Sequence, residues 1–304
     1  MRPGSLKSIT LYAIICLIWG STWLGIKVGL EGVPPLFGAG LRFAISAVVL
    51  LAVLLSKRLS LRLSPADARV IALVGTVNFG ISYGLVYWSE QYVSSGLASV
   101  LFCAYPFFVA VLAHYWLHLE RLTWAKLFGI FLGFGGIVFI YSDQIRSTAN
   151  SSRGIVGMLL AAAGSSVSLV YLKKHGKSLH TLVLNFYAML LGSAILLAGA
   201  GAMEWGTPVH WSMKNVGAVL YLAIFGSVIA FTIYFYLLKH LSAIHMSFVS
   251  LIYPVVALLL GAWVLKERVS WGIAIGASLV LAGILVSSRT NTSAPLDVPE
   301  APET

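Results

Sequence analysis

Charged residues are scarce in this chain. Asp, Glu, Lys and Arg make up 10% of its 304 residues, whereas hydrophobic residues make up 59%, and the mean hydropathy is +0.91. A soluble domain has about 25% charged and about 45–50% apolar residues. This composition excludes a soluble enzyme and a nucleic-acid-binding domain, in spite of a net charge of +10. The sequence predicts an integral membrane protein that is surrounded by the lipid bilayer.

Several residue patterns that carry chemistry are also missing. The two cysteines, Cys16 and Cys103, lie in apolar runs, so no disulfide framework or metal-ligand cluster is expected. The chain has no Gly-x4-Gly-Lys-Ser/Thr loop for ATP and no His-Glu-x-x-His zinc motif. The aspartates fall in predicted loops or in the C-terminal tail, and no acidic residue is expected in mid-membrane. We therefore expect no cofactor, no metal and no catalytic residues, and carboxylate-based proton coupling is disfavoured.

Long apolar runs set the fold class. A helix needs about 20 mostly apolar residues to cross the hydrocarbon core. The runs lack the short alternation of an outer-membrane barrel, so we predict an all-α membrane protein with ten transmembrane helices. The predicted spans, numbered 1 to 10, cover residues 8–28, 36–55, 68–88, 94–117, 123–141, 153–171, 180–200, 214–237, 242–264 and 271–288.

The basic residues predict the orientation of the spans. With the N-terminus in the cytoplasm, 13 of the 20 Lys and Arg residues fall on the cytoplasmic side and 5 outside, while Lys27 and Arg42 lie within spans. This bias follows the positive-inside rule and predicts that both termini are cytoplasmic. The first run has no convincing cleavage site, so it is interpreted as a retained span after a short tail, residues 1–7. The polar tail, residues 289–304, is expected to be disordered.

The second half of the sequence repeats the first. At an offset of 148 residues, Ser99 aligns with Ser247 and Tyr105-Pro106 aligns with Tyr253-Pro254; after a one-residue gap, Glu120-Arg121 aligns with Glu267-Arg268. We predict two five-helix repeats, residues 8–147 and 148–288. Because five is odd, the second repeat enters the membrane inverted, an arrangement that many secondary transporters use for alternating access.

Short motifs in both halves resemble a known family. Trp19-Gly20-Ser21-Thr22, the following Lys27 and Leu41-Arg42-Phe43 are similar to the opening of the EamA family in the drug/metabolite transporter superfamily. The turns Glu120-Arg121-Leu122-Thr123 and Glu267-Arg268-Val269-Ser270 are similar too. The resemblance implies a ten-helix exporter or permease of the cytoplasmic (inner) membrane for small metabolites, often amino acids. An intramembrane enzyme and a channel-like facilitator are the alternatives.

Polar and aromatic residues within the spans are the candidates for lining a substrate cavity. We expect spans 1, 3 and 4 to face spans 6, 8 and 9 across it. Proline frees a backbone carbonyl, so the two Tyr-Pro pairs indicate either fixed kinks or, as we favour, discontinuous helices at symmetric positions. The candidate residues are Trp19, Thr22, Arg42, Asn78, Ser82, Tyr83, Ser99, Tyr105, Pro106, Ser165, Ser168, His245, Ser247, Ser250, Tyr253 and Pro254.

The basic candidates leave alternatives open. Lys27 is expected to snorkel to the interface, in one interpretation with Glu31, or to join Arg42 in an electropositive vestibule for an anionic group. For Arg42 the two interpretations have equal weight. His245 fits a buried hydrogen-bonding role better than proton coupling.

Spans 5 and 10 carry small-residue seams. Gly129, Gly133 and Gly136 line span 5, and Gly272 and Gly276 lie in span 10, with few polar residues beside them. Such seams let helices approach closely, so these spans are expected to be scaffolding and to offer a contact for a homodimer. The expected partners are otherwise a small-molecule substrate and lipid.

Overall fold

The computed structural model describes residues 6–93, 95–116, 123–140, 152–256 and 271–289. Throughout these ranges every regular element is helical. The loops that contain Glu120-Arg121 and Glu267-Arg268, and the tail beyond residue 289, lie outside the described residues. The helices are α1 (Leu6–Leu30), α2 (Pro35–Ser56), α3 (Pro65–Ser89), α4 (Ser95–Phe102), α5 (Tyr105–Val111), α6 (Trp124–Ile140), α7 (Ser152–His175), α8 (Thr181–Met203), α9 (Met213–Leu238), α10 (Ala243–Ser247), α11 (249–256) and α12 (Trp271–Arg289).

Seven helical segments in the described part of the chain are long and apolar enough to cross a membrane. At 1.5 Å per residue, about 20 residues match the thickness of the hydrocarbon core. The protein is therefore a multi-pass membrane protein. Each predicted span contains a described helical segment, although predicted span 9 is described only as far as residue 256. The seven segments are Leu6–Leu30, Pro35–Ser56, Pro65–Ser89, Leu97–Trp116, Ser152–His175, Thr181–Met203 and Met213–Leu238, and the shorter apolar helices Trp124–Phe139 and Ala243–Val256 accompany them.

Two long helices contain π-helical stretches, at Val74–Ser82 in α3 and Ile224–Ile229 in α9. In such a stretch each amide bonds the carbonyl five residues back, as Tyr83 N bonds Asn78 O in α3. The extra residue per turn rotates the following side chains, and π-helical turns occur frequently at functional sites. The two stretches fall in corresponding parts of the two halves, and both border the cavity described below.

The helix at Tyr105-Pro106 is discontinuous. A turn at Cys103 and Ala104 separates α4 from α5, and Pro106 lies in the first turn of α5, where a missing amide costs little. In the second half the interruption lies elsewhere, at Phe248 between α10 and α11, while Pro254 lies inside α11. The expectation of symmetric breaks at the two prolines is therefore wrong for Pro254.

Serine hydroxyls accompany the interruption at Phe248. The Ser247 hydroxyl donates to Ile244 O at 2.7 Å and the Ser250 hydroxyl donates to Ser247 O at 2.9 Å. The backbone amides of Phe248 and Leu251 bond carbonyls three residues back rather than four. Hydroxyls that compete for backbone carbonyls loosen a helix locally, so the break follows the serines rather than the proline.

The glycine seams of α6 and α12 pack against each other. A Cβ atom on Gly136 would lie 2.6 Å from Gly276 O, and one on Gly283 would lie 2.4 Å from Gly129 O. Only glycine permits this backbone approach, which is the usual role of small residues between membrane helices. These seams are used inside the chain, and the homodimer contact stays a prediction.

Candidate functional site

A central cavity of about 90 Å³ lies between the two halves of the chain. A single water molecule needs roughly 10–15 Å³ on this scale, so the cavity has room for several waters or a small solute. Its walls come from α1, α3, α4, α5, α7, α9, α10 and α11, which correspond to predicted spans 1, 3, 4, 6, 8 and 9, and from one residue of α2. The lining residues are Trp19, Thr22, Trp23, Ile26, Arg42, Val74, Asn78, Tyr83, Val86, Phe102, Tyr105, Ser165, Ser168, Leu169, Leu172, Phe231, Tyr234, Phe235, Met246, Val249, Ser250 and Tyr253.

Ten of the sixteen predicted site residues are among these lining residues, and six are not. The ten are Trp19, Thr22, Arg42, Asn78, Tyr83, Tyr105, Ser165, Ser168, Ser250 and Tyr253. Of the other six, Ser82, Ser99, Pro106, Ser247 and Pro254 are buried in helix packing, and His245 is half-buried at the start of α10. Residues three apart share a face of a continuous helix, but the turn at Phe248 lies between Ser247 and Ser250, and only Ser250 lines the cavity.

Aromatic rings form most of the cavity wall. The Trp19 ring lies 5.1 Å from that of Phe231 and 4.9 Å from that of Tyr234, measured between centroids. The Trp23 ring lies 5.7 Å from that of Tyr253. These edge and tilted contacts fix the rings to one another across the two halves. The predicted site residues did not include Phe231, Tyr234 and the neighbouring Phe235, although their spacing places them on one face of α9.

Polar groups on the wall are few. The Tyr105 and Tyr234 hydroxyls lie 3.2 Å apart, and one of them donates to the other. The Ser168 hydroxyl is buried and has no hydrogen-bond partner among the described residues. A buried hydroxyl without a partner costs about 1–3 kcal/mol, so a polar group in the cavity is favoured next to Ser168.

Arg42 is the only charged side chain among the lining residues. It is 1% exposed, and its Nε donates to Ser227 Oγ at 2.8 Å while its Nη2 donates to Gly226 O at 3.2 Å, both in the π-helical stretch of α9. A longer contact of 3.5 Å joins its Nη1 to the Tyr87 hydroxyl. Its guanidinium carbon lies 5.1 Å from the centre of the Tyr83 ring. Arg42 therefore does not snorkel, and these contacts use three of its five N–H donors.

Lys27 is half-buried and holds the end of α3. Its Nζ donates to the backbone carbonyl of Glu90 at 2.7 Å and to that of Val93 at 3.4 Å. The predicted pairing with Glu31 is wrong, because Glu31 pairs with Lys214 at 3.4 Å. The last carbonyls of a helix have no partner within the helix, and the Lys27 ammonium satisfies the one at the C-cap residue Glu90 together with the Val93 carbonyl in the following turn.

Glu90 is a buried acidic residue in the break between predicted spans 3 and 4. It directly follows the last helical residue of α3 and is 0% exposed. Neither of its carboxyl oxygens has a hydrogen-bond partner among the described residues. The sequence placed it in a polar break between spans, and no pattern within that break distinguishes it from its exposed neighbour Gln91.

His245 has the hydrogen-bonding surroundings that the sequence analysis favoured. Its Nδ1 lies 2.8 Å from Ser242 Oγ, which also accepts a hydrogen bond from the His245 backbone amide. Its own carbonyl accepts a hydrogen bond from the Tyr12 hydroxyl at 2.9 Å. His245 thus belongs to the cap of α10 and does not contact the cavity.

A cavity between the two halves of a helical membrane protein is the arrangement expected of a membrane transporter, and comparison with known proteins specifies the family. The sequence profile of the EamA-like transporter family matches residues 6–142 and 152–289, and the chain belongs to this family. In the described residues, no group of three or more His, Cys, Asp or Glu side chains is arranged to hold a metal ion.

Several relatives carry the name of transporter. The chain is 29% identical over 278 residues to "Uncharacterized transporter YoaV" of Bacillus subtilis, which covers 91% of this chain and 94% of that protein. It is 32% identical over 282 residues to "Uncharacterized inner membrane transporter YedA" of Escherichia coli K12, covering 89% of this chain and 87% of that protein. A solved structure described as "Crystal structure of protein" has the same fold, with a TM-score of 0.77 at 20% identity, and the match covers 93% of this chain and 96% of that one.

Proposed function

We propose that this protein is a secondary transporter that exports small amphipathic or zwitterionic metabolites, such as amino acids, by alternating access. In this proposal ten spans form two inverted repeats in the cytoplasmic membrane, with both termini in the cytoplasm. The observation that carries the proposal is the cavity, because both halves contribute its walls and the charged Arg42 side chain lies in it.

The chemistry of the walls favours a carboxylate-bearing solute. A guanidinium with free N–H groups pairs well with a carboxylate, and the low dielectric of the buried site strengthens that pairing. The aromatic rings of Trp19, Trp23 and Phe231 suit an apolar side group. The volume of about 90 Å³ restricts the solute to a small one in this state.

Alternating access is supported by the way the two halves share the cavity. The family profile matches each half separately, and an odd number of spans per half inverts one half relative to the other. The prediction that the termini are cytoplasmic rests on the charge bias of the loops, and the export direction rests on the family resemblance alone.

Uptake by purified protein in proteoliposomes tests the proposal. A panel of labelled amino acids and small amines is offered with and without a pH gradient. Saturable uptake of one class is expected, and uptake that rises linearly with concentration would favour a channel. No uptake of any panel member by folded protein would contradict the proposed solute class.

A matched pair of variants connects the uptake to the cavity. Ser168→Phe adds a ring to the cavity wall, whereas Ser168→Ala removes only the hydroxyl. We expect Ser168→Phe to lose uptake and Ser168→Ala to keep it within a few fold. Equal uptake by both variants would place the pathway elsewhere.

A further inference from the structure

Two lysines make equivalent contacts in the two halves. Lys27 Nζ bonds the carbonyls of Glu90 and Val93, at 2.7 and 3.4 Å. Lys173 Nζ bonds the carbonyls of Leu238 and Leu241, both at 2.6 Å. The acceptors are related by 148 residues, the offset that relates the Tyr-Pro pairs. We call each arrangement a lysine clasp, since it ties the end of α3 or α9 to the chain that follows.

The clasp does not require a carboxyl group. The residue that corresponds to Glu90 in the second half is Leu238, and both side chains are buried, at 0% and 2% exposure. The second half therefore builds the same clasp with an apolar side chain at this position. The two halves can therefore be compared directly, and this comparison indicates that the fold does not need the carboxyl group of Glu90.

Burying that carboxyl is costly when it is ionised. Neither oxygen has a hydrogen-bond partner among the described residues, and an unpaired carboxylate in an apolar environment costs far more than a neutral acid. Burial raises the pKa of the Glu90 carboxyl well above its ordinary value, and the nearby charges of Lys27 and Arg42 oppose this rise in part. The neutral acid is thus the favoured form while this end of the protein is closed.

Among the described residues, few other ionisable groups surround Glu90. Lys27 faces it from α1, Arg42 faces it from α2, and Tyr87 lies one turn earlier on α3. The end of α3 packs against glycines of α7, where a Cβ on Gly154 would contact Tyr92 and Val93.

Two other described acids at the same end, the exposed Glu31 and the half-buried Glu204, have partners of their own. Glu31 pairs with Lys214, and Glu204 accepts hydrogen bonds from the backbone amides of Leu36 and Phe37. Among the described carboxylates at this end, Glu90 is therefore the one whose side chain is buried and unpaired.

We propose that Glu90 is a proton-binding site of the transport cycle, which rests on the proposed transport function. The carboxyl holds a proton while the Lys27 clasp is closed. When this end opens, the O–H bond breaks and the proton passes to water. The resulting carboxylate pairs with the Lys27 ammonium, which leaves the two carbonyls. Because Arg42 lies in the cavity wall and also faces Glu90, a charged solute in the cavity acts on the same carboxyl.

Opening of the clasp can be measured without a known solute. Val93 is 3% exposed beside the clasp, so Val93→Cys reports opening through its reaction with a membrane-impermeant thiol reagent. Cys16 and Cys103 are buried and are replaced by alanine. The same cysteine in a Glu90→Gln background, which imitates the neutral acid, corrects for the pH dependence of the thiol itself. Glu31→Gln, a substitution of an exposed acidic residue at the same end of the protein, is the matched control.

The corrected reaction rate is expected to rise with pH, by up to about tenfold per pH unit between the ordinary and the raised pKa of the carboxyl, because one proton is released. Glu90→Leu, which copies the second half, is expected to fold and to lose the rise as Glu90→Gln does. A corrected rate that does not change with pH would overturn the proposal. The proposal would also be overturned if Glu31→Gln abolished the rise of the corrected rate with pH.

A second measurement separates this proposal from the proposed function. In infrared spectra, the carbonyl band of a protonated carboxylic acid is expected to disappear as pH rises in the wild type and to be absent from Glu90→Gln. If that band and the pH-dependent opening are present but no solute is taken up, the proposed function fails and the proton site stands. If uptake is saturable but its response to a pH gradient is the same in Glu90→Gln, the proton site fails and transport stands.

Discussion

The substitution Arg42→Met separates recognition of a carboxylate from stability of the fold. Methionine keeps an unbranched side chain and removes the charge. Two of the partners of Arg42 keep other hydrogen bonds, because Ser227 Oγ still donates to Leu222 O at 2.9 Å and Gly226 O still accepts from Trp19 Nε1 at 3.1 Å. The Tyr87 hydroxyl loses its long contact of 3.5 Å with Nη1.

The energies of the two effects differ in size. The fold loses two good charged hydrogen bonds of about 1.5–3 kcal/mol each, but it no longer carries the desolvation penalty of a buried ion, which is several kcal/mol. We expect the free energy of unfolding to change by less than about 2 kcal/mol. A bound carboxylate loses two charge-assisted hydrogen bonds, roughly 3–6 kcal/mol, which corresponds to about a hundredfold to ten-thousandfold in Kd.

Binding of a labelled carboxylate-bearing solute to purified protein, with thermal unfolding measured in parallel, gives both quantities. Lys214→Met removes an exposed basic residue that does not line the cavity and is expected to keep the affinity within a few fold. Arg42→Lys, which keeps the charge without the planar fork, is expected to fall between Arg42→Met and the wild type. Wild-type affinity in folded Arg42→Met would refute the assignment of Arg42 to carboxylate recognition.

Three further predictions address packing, the helix break and pH. Gly136→Ala places a methyl group 2.6 Å from Gly276 O and is expected to lower the unfolding temperature. Gly135→Ala, whose methyl group would meet nothing within 4 Å, is expected to leave the unfolding temperature unchanged. Equal unfolding temperatures for the two variants would contradict the close packing. Pro106→Ala is expected to slow uptake severalfold, because a continuous helix replaces the break, and a normal rate would deny the break a role in gating. Burial raises the pKa of Glu90 in the folded protein, so the wild type is expected to lose stability relative to Glu90→Gln as pH rises above about 4.3; parallel stability curves would contradict a buried neutral acid.

The helices and their arrangement around the cavity were largely predictable from the sequence. Apolar runs of about 20 residues have one stable structure in a bilayer, because every backbone polar group must be bonded within the segment. The repeat, detected through Tyr105-Pro106 and Tyr253-Pro254, indicated which spans correspond. That correspondence was sufficient to predict the six spans that line the cavity.

It was less predictable which face of each helix lines the cavity. A helix with lipid on one side and protein on the other is apolar all round, so the period of hydrophobicity does not distinguish the two sides. The π-helical stretches add a further rotation that no simple period anticipates, and Ser82 consequently packs against α7, whereas Tyr83 reaches the cavity. The burial of Glu90 was also hidden, because it depends on Lys27 closing over the end of α3.

Counterflow in proteoliposomes tests the central claim, that one cavity serves both sides of the membrane in turn. Vesicles are loaded with an excess of an unlabelled solute that the protein takes up and are diluted into a trace of the same solute in labelled form. A carrier with one alternating site accumulates the label transiently above its equilibrium level, and we predict this overshoot for the wild type and its loss in Ser168→Phe. A monotonic approach to equilibrium in the wild type would contradict alternating access.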